Sequence, residues 1–361
     1  MPPYSATPAP DWDTLFHRSS GWTGADAAYA LPLSGDYRPG SGDATHTVWV
    51  FDDTFIGDVD ASGHRLPGTA LVNNTFAVLN GGQPVLDQIQ FYWRTDAAGN
   101  PQAMVKPSTC TICWYWPIDG IALSGTIYLY VLEMAPGSGG VFNFQVVGIS
   151  LLTTPASSPV PFDSYTAVDN TPLFANGSSQ IYFGQAVMPN TAAAGAPRPD
   201  GYLYVYGTRN DPFNKKLVVS RVLPGDIANF SQYRFWDGKR WSKFITRAAS
   251  LTDRISAEFN VSPLADGRFL LVFQLDGLSR DVAVRYGASP IGPWGSAIPV
   301  YHAPEPDIDP ANVYTYNAKG HPHLSRPGEM LISYNVNTFD FNENINNADI
   351  YRPRFIRLPL Q

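Results

Sequence analysis

The chain has 361 residues, of which 13% are aromatic and only 15% are charged, and its formal net charge is −7. That balance, without a run of lysine or arginine, argues against nucleic acid and anionic membranes as partners, because both are bound by a basic surface. No stretch approaches 18 consecutive apolar residues, which excludes a membrane-spanning helix on length.

The 31 glycines and 32 prolines indicate a chain that turns often, as in all-β folds built from many short strands. One very apolar strand type recurs from residues 47, 126, 202, 269 and 330, each time between a small-residue segment and an amphipathic strand. This ordered recurrence predicts a five-bladed β-propeller with four antiparallel strands per blade, whereas a β-sandwich would explain the strands but not their order. We expect a single domain over 1–361, with blades at about 20–105, 106–175, 176–245, 250–305 and 310–361. A short helical turn is expected only near residues 224–233.

The first blade carries three candidate acids. Asp26 leads into an apolar strand and is not followed by glycine, which weakens a turn-capping role. Asp52 and Asp53 end the next strand, "TVWVFDDTF". Because side chains alternate along a strand, only one of the two can face Asp26, and the other is then expected to be a structural acid.

The second blade contains Trp116 and Asp119 in "WYWPIDGIAL", where Asp119 fits either a turn residue or a functional acid. Just before it, Cys110 and Cys113 form the only cysteine pair, "CTIC". Two cysteines cannot build a four-cysteine zinc site, so a local disulfide and two free thiols remain the alternatives.

The innermost strand of each blade lines the central channel of a propeller, so polar residues on these strands converge from distant parts of the chain. The predicted inner strands carry, in chain order, Asp26, Asp119, Gln185, Glu258 and His321. Glu258 lies within a strand, and its structural alternative is a buried ion pair with Arg254. Converging carboxyl groups favour glycoside hydrolysis, in which one acid protonates the leaving oxygen and a second carboxylate acts as nucleophile or base.

The fifth blade contains "YTYNAKGHPHLS", in which His321 and His323 are expected on opposite sides of a strand. His321 could hold a cation or water on the channel axis, contact a sugar hydroxyl, or be a structural histidine. A catalytic zinc site is not expected, and we predict no required cofactor, with a structural cation in the channel left open. The predicted sugar-contacting residues are Trp116, Gln185, Arg209, Tyr316, Asn317, His321 and Arg352.

The segments "GAD…L…VWVFDDTFIG" and "LVNNTFAVL" resemble the opening of the bacterial five-bladed-propeller endo-D-arabinanases and their uncharacterised relatives. Later stretches, among them "YVYGTR…KKLVVSRV", "WDGKRW" and "HPHLS…GEMLISYNVN", extend the resemblance over most of the chain. The resemblance implies catalytic roles for Asp26 and Asp53 and endo-cleavage of D-arabinan in mycobacterial cell walls. Asp53 is the acid at the family's "DTF" position, so we expect it to face Asp26 and expect Asp52 to be the structural acid. Two features depart from the family pattern: the spacing between the two acids is longer, and Asp52 stands where the family has glycine.

The residues and the resemblance together predict a secreted or surface-acting glycoside hydrolase for a furanose-containing polysaccharide. Asp26 and Asp53 are the expected acid and base or nucleophile, with Glu258 and Asp119 as the next candidates. We expect a monomer that binds no nucleic acid or membrane. The alternatives are a glycan-binding propeller without catalysis, which would use similar residues, and an interaction scaffold, which would lack converging acids.

Overall fold

The computed structural model describes residues 4–137, 143–211 and 214–360, and these form five antiparallel sheets arranged in a ring. The first strand, β1 (Thr7–Pro8), is followed by helix α1 (Pro10–Phe16). Sheet one then runs in the order β2 (Ser20–Pro32), β3 (His46–Asp58), β5 (Thr75–Asn80), β6 (Ile89–Tyr92), with β4 (Ala70–Val72) also paired to β3. A two-stranded ribbon follows, made of β7 (Arg94–Thr95) and β8 (Pro101–Gln102).

The next two sheets follow the same meander. Sheet two contains β9 (Trp114–Leu123), β10 (Thr126–Pro136), β11 (Phe144–Pro155) and β12 (Thr166–Val168). Sheet three has six strands: β13 (Phe174–Ala175), β14 (Gln180–Asn190), β15 (Tyr202–Asp211), β16 (Asn214–Val222), β17 (Arg234–Trp236) and β18 (Trp241–Ser242).

The last two sheets complete the ring. Sheet four contains β19 (Phe259–Pro263), β20 (Phe269–Gln274), β21 (Asp281–Gly287) and β22 (Ile298–His302). Sheet five contains β23 (Val313–Gly320), β24 (Glu329–Thr338) and β25 (Arg354–Pro359), and β1 pairs with β25 as its fourth strand. The five-bladed β-propeller predicted from the sequence is therefore confirmed, and the two ends of the chain meet in sheet five.

The remaining regular elements are short. Helix α2 (Phe341–Asn346) begins at Asp340, whose carboxylate accepts the backbone N–H of Asn342 as an N-cap. The 3₁₀ helices are Ser41–Ala44, Leu86–Gln88, Pro224–Asp226, Phe230–Gln232, Ile245–Arg247, Glu305–Asp307 and Pro322–Leu324. Helical turns thus occur near 224–233 as predicted, whereas α1 and α2 were not predicted. None of the helices in the described ranges is long and apolar enough to cross a membrane.

Helix α1 was missed because it is short, but its packing explains why it forms. Pro10 occupies its first turn, where the missing N–H costs nothing. Trp12 and Phe16 are buried, and both rings pack on Phe355 of β25 and Trp49 of β3. The helix therefore fills the junction between the first and last sheets.

The inner strands pack side by side around the axis: β2 on β9, β9 on β14, β14 on β19, and β19 on β23, while β24 of sheet five contacts β2. The apolar faces of neighbouring sheets fill the space between them, for example Val48 and Val50 of sheet one with Leu129 and Val131 of sheet two.

Three of the inner strands, β9, β14 and β23, each contain a bulge in their pairing with the next strand. In β9, Ile118 and Asp119 together stand opposite the single residue Tyr130. In β14, Gly184 and Gln185 are inserted between the pairs Phe183–Gly207 and Ala186–Tyr206. In β23, Asn317 and Ala318 stand opposite Tyr334, and Asn317 has φ 60°. Bulges of this kind redirect side chains and are common beside active sites.

Candidate active site

One cavity of about 600 Å³ opens where the bulged parts of the inner strands meet, and we call it the funnel. Its lining includes one residue from, or directly before, each inner strand: Asp26, Trp116, Gln185, Glu258 and Tyr316. Asp52 and Asp53 of β3 line the same cavity. Carboxyl groups from distant parts of the sequence therefore share one site, and that of Asp276 also lines the cavity.

The irregular pairing of β2 with β3 brings three of these acids together. Ala25 pairs with Thr54 and Ala27 with Phe51, so Asp52 and Asp53 together stand opposite the single residue Asp26. Ala27 and Ala28 adopt φ values of 62° and 63°, a left-handed conformation that costs roughly 1–3 kcal/mol per residue. The alternation argument for Asp52 was consequently wrong, because side chains alternate only along a regular strand. Asp52 is buried and faces the funnel beside Asp53.

Asp26 has a strongly raised pKa because it is buried among other acids. Its Oδ2 accepts a hydrogen bond from the Tyr316 hydroxyl at 2.7 Å, while its Oδ1 is buried without a partner. Burial, followed by the nearby charge of Asp53, raises the pKa of Asp26 to about 8, although hydrogen bonds from Tyr316 and Tyr351 partly oppose the change. The Asp26 carboxyl is therefore protonated at neutral pH.

Asp53 lies in the same cavity with better hydrogen bonding. Its Oδ1 accepts the indole N–H of Trp116 at 3.0 Å and the side-chain amide of Asn73 at 3.3 Å. Burial raises the pKa of Asp53 to about 6, and these two hydrogen bonds limit the increase. Asp53 is therefore ionised at neutral pH, where Asp26 holds its proton.

Asp52 and Glu258 lie deeper. Burial, and then the charges of Glu258 and Asp26, raise the pKa of Asp52 well above its usual range, and its Oδ1 has no partner. Burial likewise raises the pKa of Glu258, and the ammonium of Lys319 opposes this with its Nζ 2.8 Å from Oε2. The Asn317 side-chain amide donates to Oε1 of Glu258 at 2.6 Å.

Lys319 is the counter-charge of the acid cluster. Its side chain is 1% exposed, and its ammonium also donates to the backbone carbonyls of Ala27 and Asn317. Arg254, the partner expected for Glu258, instead pairs with Asp276 at 2.6 Å. The expected Arg254–Glu258 pair was wrong because β23, the inner strand next to β19, supplies the cation instead.

Gln185 lines the funnel with a side-chain amide that makes no hydrogen bond to the protein. It is 1% exposed, and neither its Oε1 nor its Nε2 has a hydrogen-bond partner. A buried amide without partners costs roughly 1–3 kcal/mol, so its lack of protein partners favours a ligand hydroxyl group at this position.

Four predicted site residues lie outside the funnel lining. Asp119 is held within the inner ring, where its carboxylate accepts the backbone N–H groups of Gly120 and Val187, and burial raises its pKa to about 7. Arg209 lines a neighbouring pocket of sheet three and pairs with Asp211. Arg352 donates to the carbonyls of Arg18 and Thr23 behind β2.

His321 is the fourth, and its expected place on an inner strand was wrong. Strand β23 ends at Gly320, because Pro322 begins a 3₁₀ turn with His321 as its N-cap residue. The His321 ring contacts the Ser333 hydroxyl at 2.8 Å and packs on Trp49, so it does not face the channel. His323 is also buried, with Nε2 3.2 Å from the Thr47 hydroxyl. The side chain near the axis is that of Lys319.

Sequence reasoning missed the functional placement of Asp52 and Tyr351, which line the funnel, and of Lys319, which pairs with Glu258 beside it. A lysine within an otherwise small and apolar inner-strand segment was the available signal for Lys319. No sequence signal indicated Tyr351.

Within the described ranges, no three His, Cys, Asp or Glu side chains are grouped so that they could hold a metal ion. Cys110 and Cys113 form a disulfide, which settles the choice left open above.

The family model described as "Domain of unknown function (DUF5005)" matches residues 10–359. The chain belongs to this family. No curated protein matches the chain. Its fold is shared with a crystal structure described as a "putative hydrolase" from Bacteroides ovatus ATCC 8483, at a TM-score of 0.74 and 19% identity over 98% of this chain and 89% of that one.

Two further solved structures are more distant. An endo-arabinase from Bacteroides thetaiotaomicron VPI-5482 has a TM-score of 0.46 and 11% identity, over 93% of this chain and 98% of that one. An α-L-arabinofuranosidase from Podospora anserina has a TM-score of 0.42 and 13% identity, over 94% of this chain and 96% of that one. The family and the first structure establish the shared fold, and the chemistry has to be argued from the funnel.

Proposed function

We propose that this protein is a glycoside hydrolase in which Asp26 is the general acid and Asp53 is the nucleophile or general base. The observation that carries the proposal is that both carboxyl groups line one cavity, where burial raises the pKa of Asp26 to about 8 and that of Asp53 to about 6. Near neutral pH one is protonated and the other ionised, which is the division of roles that glycosidic bond cleavage needs.

The hydrogen bonds around the two acids fit these roles. Asp26 transfers its proton to the glycosidic oxygen as the bond to the sugar breaks, and Tyr316 holds its Oδ2 in place. Asp53 attacks the anomeric carbon or deprotonates the attacking water, and Trp116 and Asn73 hold its Oδ1. Gln185 and Asn317 are the proposed contacts for sugar hydroxyls on the floor.

The charges of the funnel favour a neutral sugar. Five acids line it, and the described lining contains a single lysine, Lys215, whose Nζ contacts Asn210 Oδ1 at 3.1 Å. A uronic acid or phosphorylated sugar would be repelled by such a site. Together with the motif resemblance, this supports a neutral furanose-containing polysaccharide, with endo-cleaved D-arabinan as the first candidate. Such a substrate lies outside the cell, so we propose a secreted or surface-acting protein.

The test is product analysis after incubation with D-arabinan, L-arabinan, fructan and galactan. We expect oligosaccharides from one furanose-containing polymer, and loss of product in Asp26→Asn and Asp53→Asn. Asp87→Asn, at an exposed position away from the funnel, is the matched control and should retain activity. Wild-type activity in both active-site variants would overturn the assignment. Binding of a glycan without any product would identify the alternative, a glycan-binding propeller.

A further inference from the structure

The funnel has an apolar wall on its sheet-two side. Leu132 and Met134 of β10, Val146 of β11 and Leu71 of β4 all line the cavity, and we call these four residues the aliphatic wall. Met134 is paired in register with both Trp114 and Val146, and Leu132 is paired with Trp116. The three sheet-two residues therefore form a continuous face at the end of that sheet, and Leu71 of sheet one lines the same cavity.

The aliphatic wall lies directly beside the proposed reaction centre. Trp116 connects the two, since its indole N–H donates to Asp53 and its ring packs edge-on against Phe144 with centroids 4.7 Å apart. A group on the sugar that reaches past Asp53 in this direction meets the aliphatic side chains.

This composition does not match a sugar ring. Sugars are bound by hydrogen bonds to their hydroxyl groups and by flat aromatic faces, and Leu, Val and Met side chains provide neither. Covering the wall with a hydroxyl-rich sugar would remove water from polar groups without replacing their hydrogen bonds.

Exposed apolar side chains are also concentrated here. Five of the exposed large hydrophobic residues of the described chain line this one cavity, namely Leu71, Phe144, Leu278, Phe339 and Phe341. Leu71 is 45% exposed, and it lines the same cavity as the carboxyl groups of Asp26 and Asp53. Such a concentration marks a surface that is covered when a ligand binds.

We propose that the aliphatic wall binds an apolar substituent of the glycan substrate, an acyl chain or an aryl group, placed next to the sugar whose bond is cleaved. This inference rests on the proposed function, because it takes the glycan as the carrier of the group. It adds that the natural substrate is a substituted polymer or a glycoside with an apolar aglycone.

The test is calorimetric binding of methyl, butyl, hexyl and phenyl D-arabinofuranosides, both anomers, to the full chain carrying Asp26→Asn, which prevents turnover. Each added methylene buried on the wall should tighten Kd by up to about fourfold. Leu71→Asn and Leu132→Gln should each flatten this dependence. Leu66→Asn is the matched control, because Leu66 is 42% exposed but does not line the funnel, and it should keep the full dependence.

A Kd that does not change with chain length, an equal dependence in Leu71→Asn and Leu66→Asn, or no binding of the hexyl compounds would overturn the proposal. Stronger binding of the hexyl compounds than of the phenyl ones would indicate an acyl chain, and the reverse an aryl group. Chain-length dependence in a protein that cleaves no glycan would refute the proposed hydrolase and leave the apolar subsite standing. Cleavage of unsubstituted arabinan together with a Kd that does not depend on chain length would refute the apolar subsite and leave the proposed hydrolase standing.

Discussion

Sheet two holds a second group of acidic side chains, Glu133 and Asp169, and it differs from the funnel in how its oxygens are paired. Oε1 of Glu133 accepts the Ser150 hydroxyl and the backbone N–H of Asn170. Oδ1 of Asp169 accepts the Tyr115 hydroxyl. In the funnel, by contrast, Asp26 and Asp52 each keep a buried oxygen without a partner.

This difference separates a structural use of acids from a functional one. Where the fold supplies hydrogen-bond donors to a carboxylate, as at Glu133 and Asp169, the carboxylate connects neighbouring segments of the chain. Where the fold buries a carboxyl group and leaves an oxygen unpaired, the missing partner is left to a ligand, at a cost in stability.

The largest expected contrast between the two clusters is in turnover. Asp26→Asn should lower kcat by about 10²- to 10⁴-fold, because it removes the proton donor. Glu133→Gln should change kcat by no more than about threefold, since its hydrogen bonds connect strands outside the funnel. Steady-state kinetics on the cleaved glycan check both, and a comparable loss in Glu133→Gln would remove the distinction.

The second contrast concerns Lys319, the cation that only the funnel cluster contains. Lys319→Met should reduce the free energy of unfolding by about 3–5 kcal/mol, because it leaves Glu258 buried without its counter-charge. Urea unfolding followed by circular dichroism measures this. The double variant Lys319→Met, Glu258→Gln should recover part of the loss, and no recovery would mean that Lys319 acts through its backbone contacts alone.

A smaller effect of opposite sign is expected for Asp26 itself. Its folded pKa of about 8 lies above that of an unfolded aspartate, so folding binds a proton across the interval, and stability falls as pH rises from about 4 to about 8. Asp26→Asn removes this penalty and should raise the free energy of unfolding at pH 7 by about 2–4 kcal/mol. The gain should disappear near pH 4, and a gain that is independent of pH would contradict the assignment.

The smallest expected effect is a shift in the pH profile. The dependence of kcat/KM on pH should be bell-shaped, with its acidic limb set by Asp53 near pH 6 and its basic limb by Asp26 near pH 8. Glu258→Gln removes one of the charges that raise the pKa of Asp26, so the basic limb should move to lower pH. Glu133→Gln should leave both limbs in place, and an unmoved limb in Glu258→Gln would argue against this coupling.

The sequence contained enough information to predict the propeller, because strand order and turn spacing repeat in every blade. It also indicated Asp26, Asp53 and Glu258, which the structure brings into one cavity. It could not indicate Asp52, because alternation fails at a bulge that depends on the pairing of β2 with β3. It misplaced His321, because the end of β23 is set by Pro322 and its packing rather than by the apolar pattern.

The pairing of β1 with β25 has a consequence for how the protein is made. During synthesis, the residues of β1 are made before those of sheets one to four, whereas their partners Ile356 and Arg357 are made after them. Sheets one to four can form in sequence as the chain emerges, while the edge of sheet five has to wait until β25 has been made. A truncated translation product would therefore expose an unpaired strand edge, which gives quality-control proteases and chaperones a signal that the chain is incomplete.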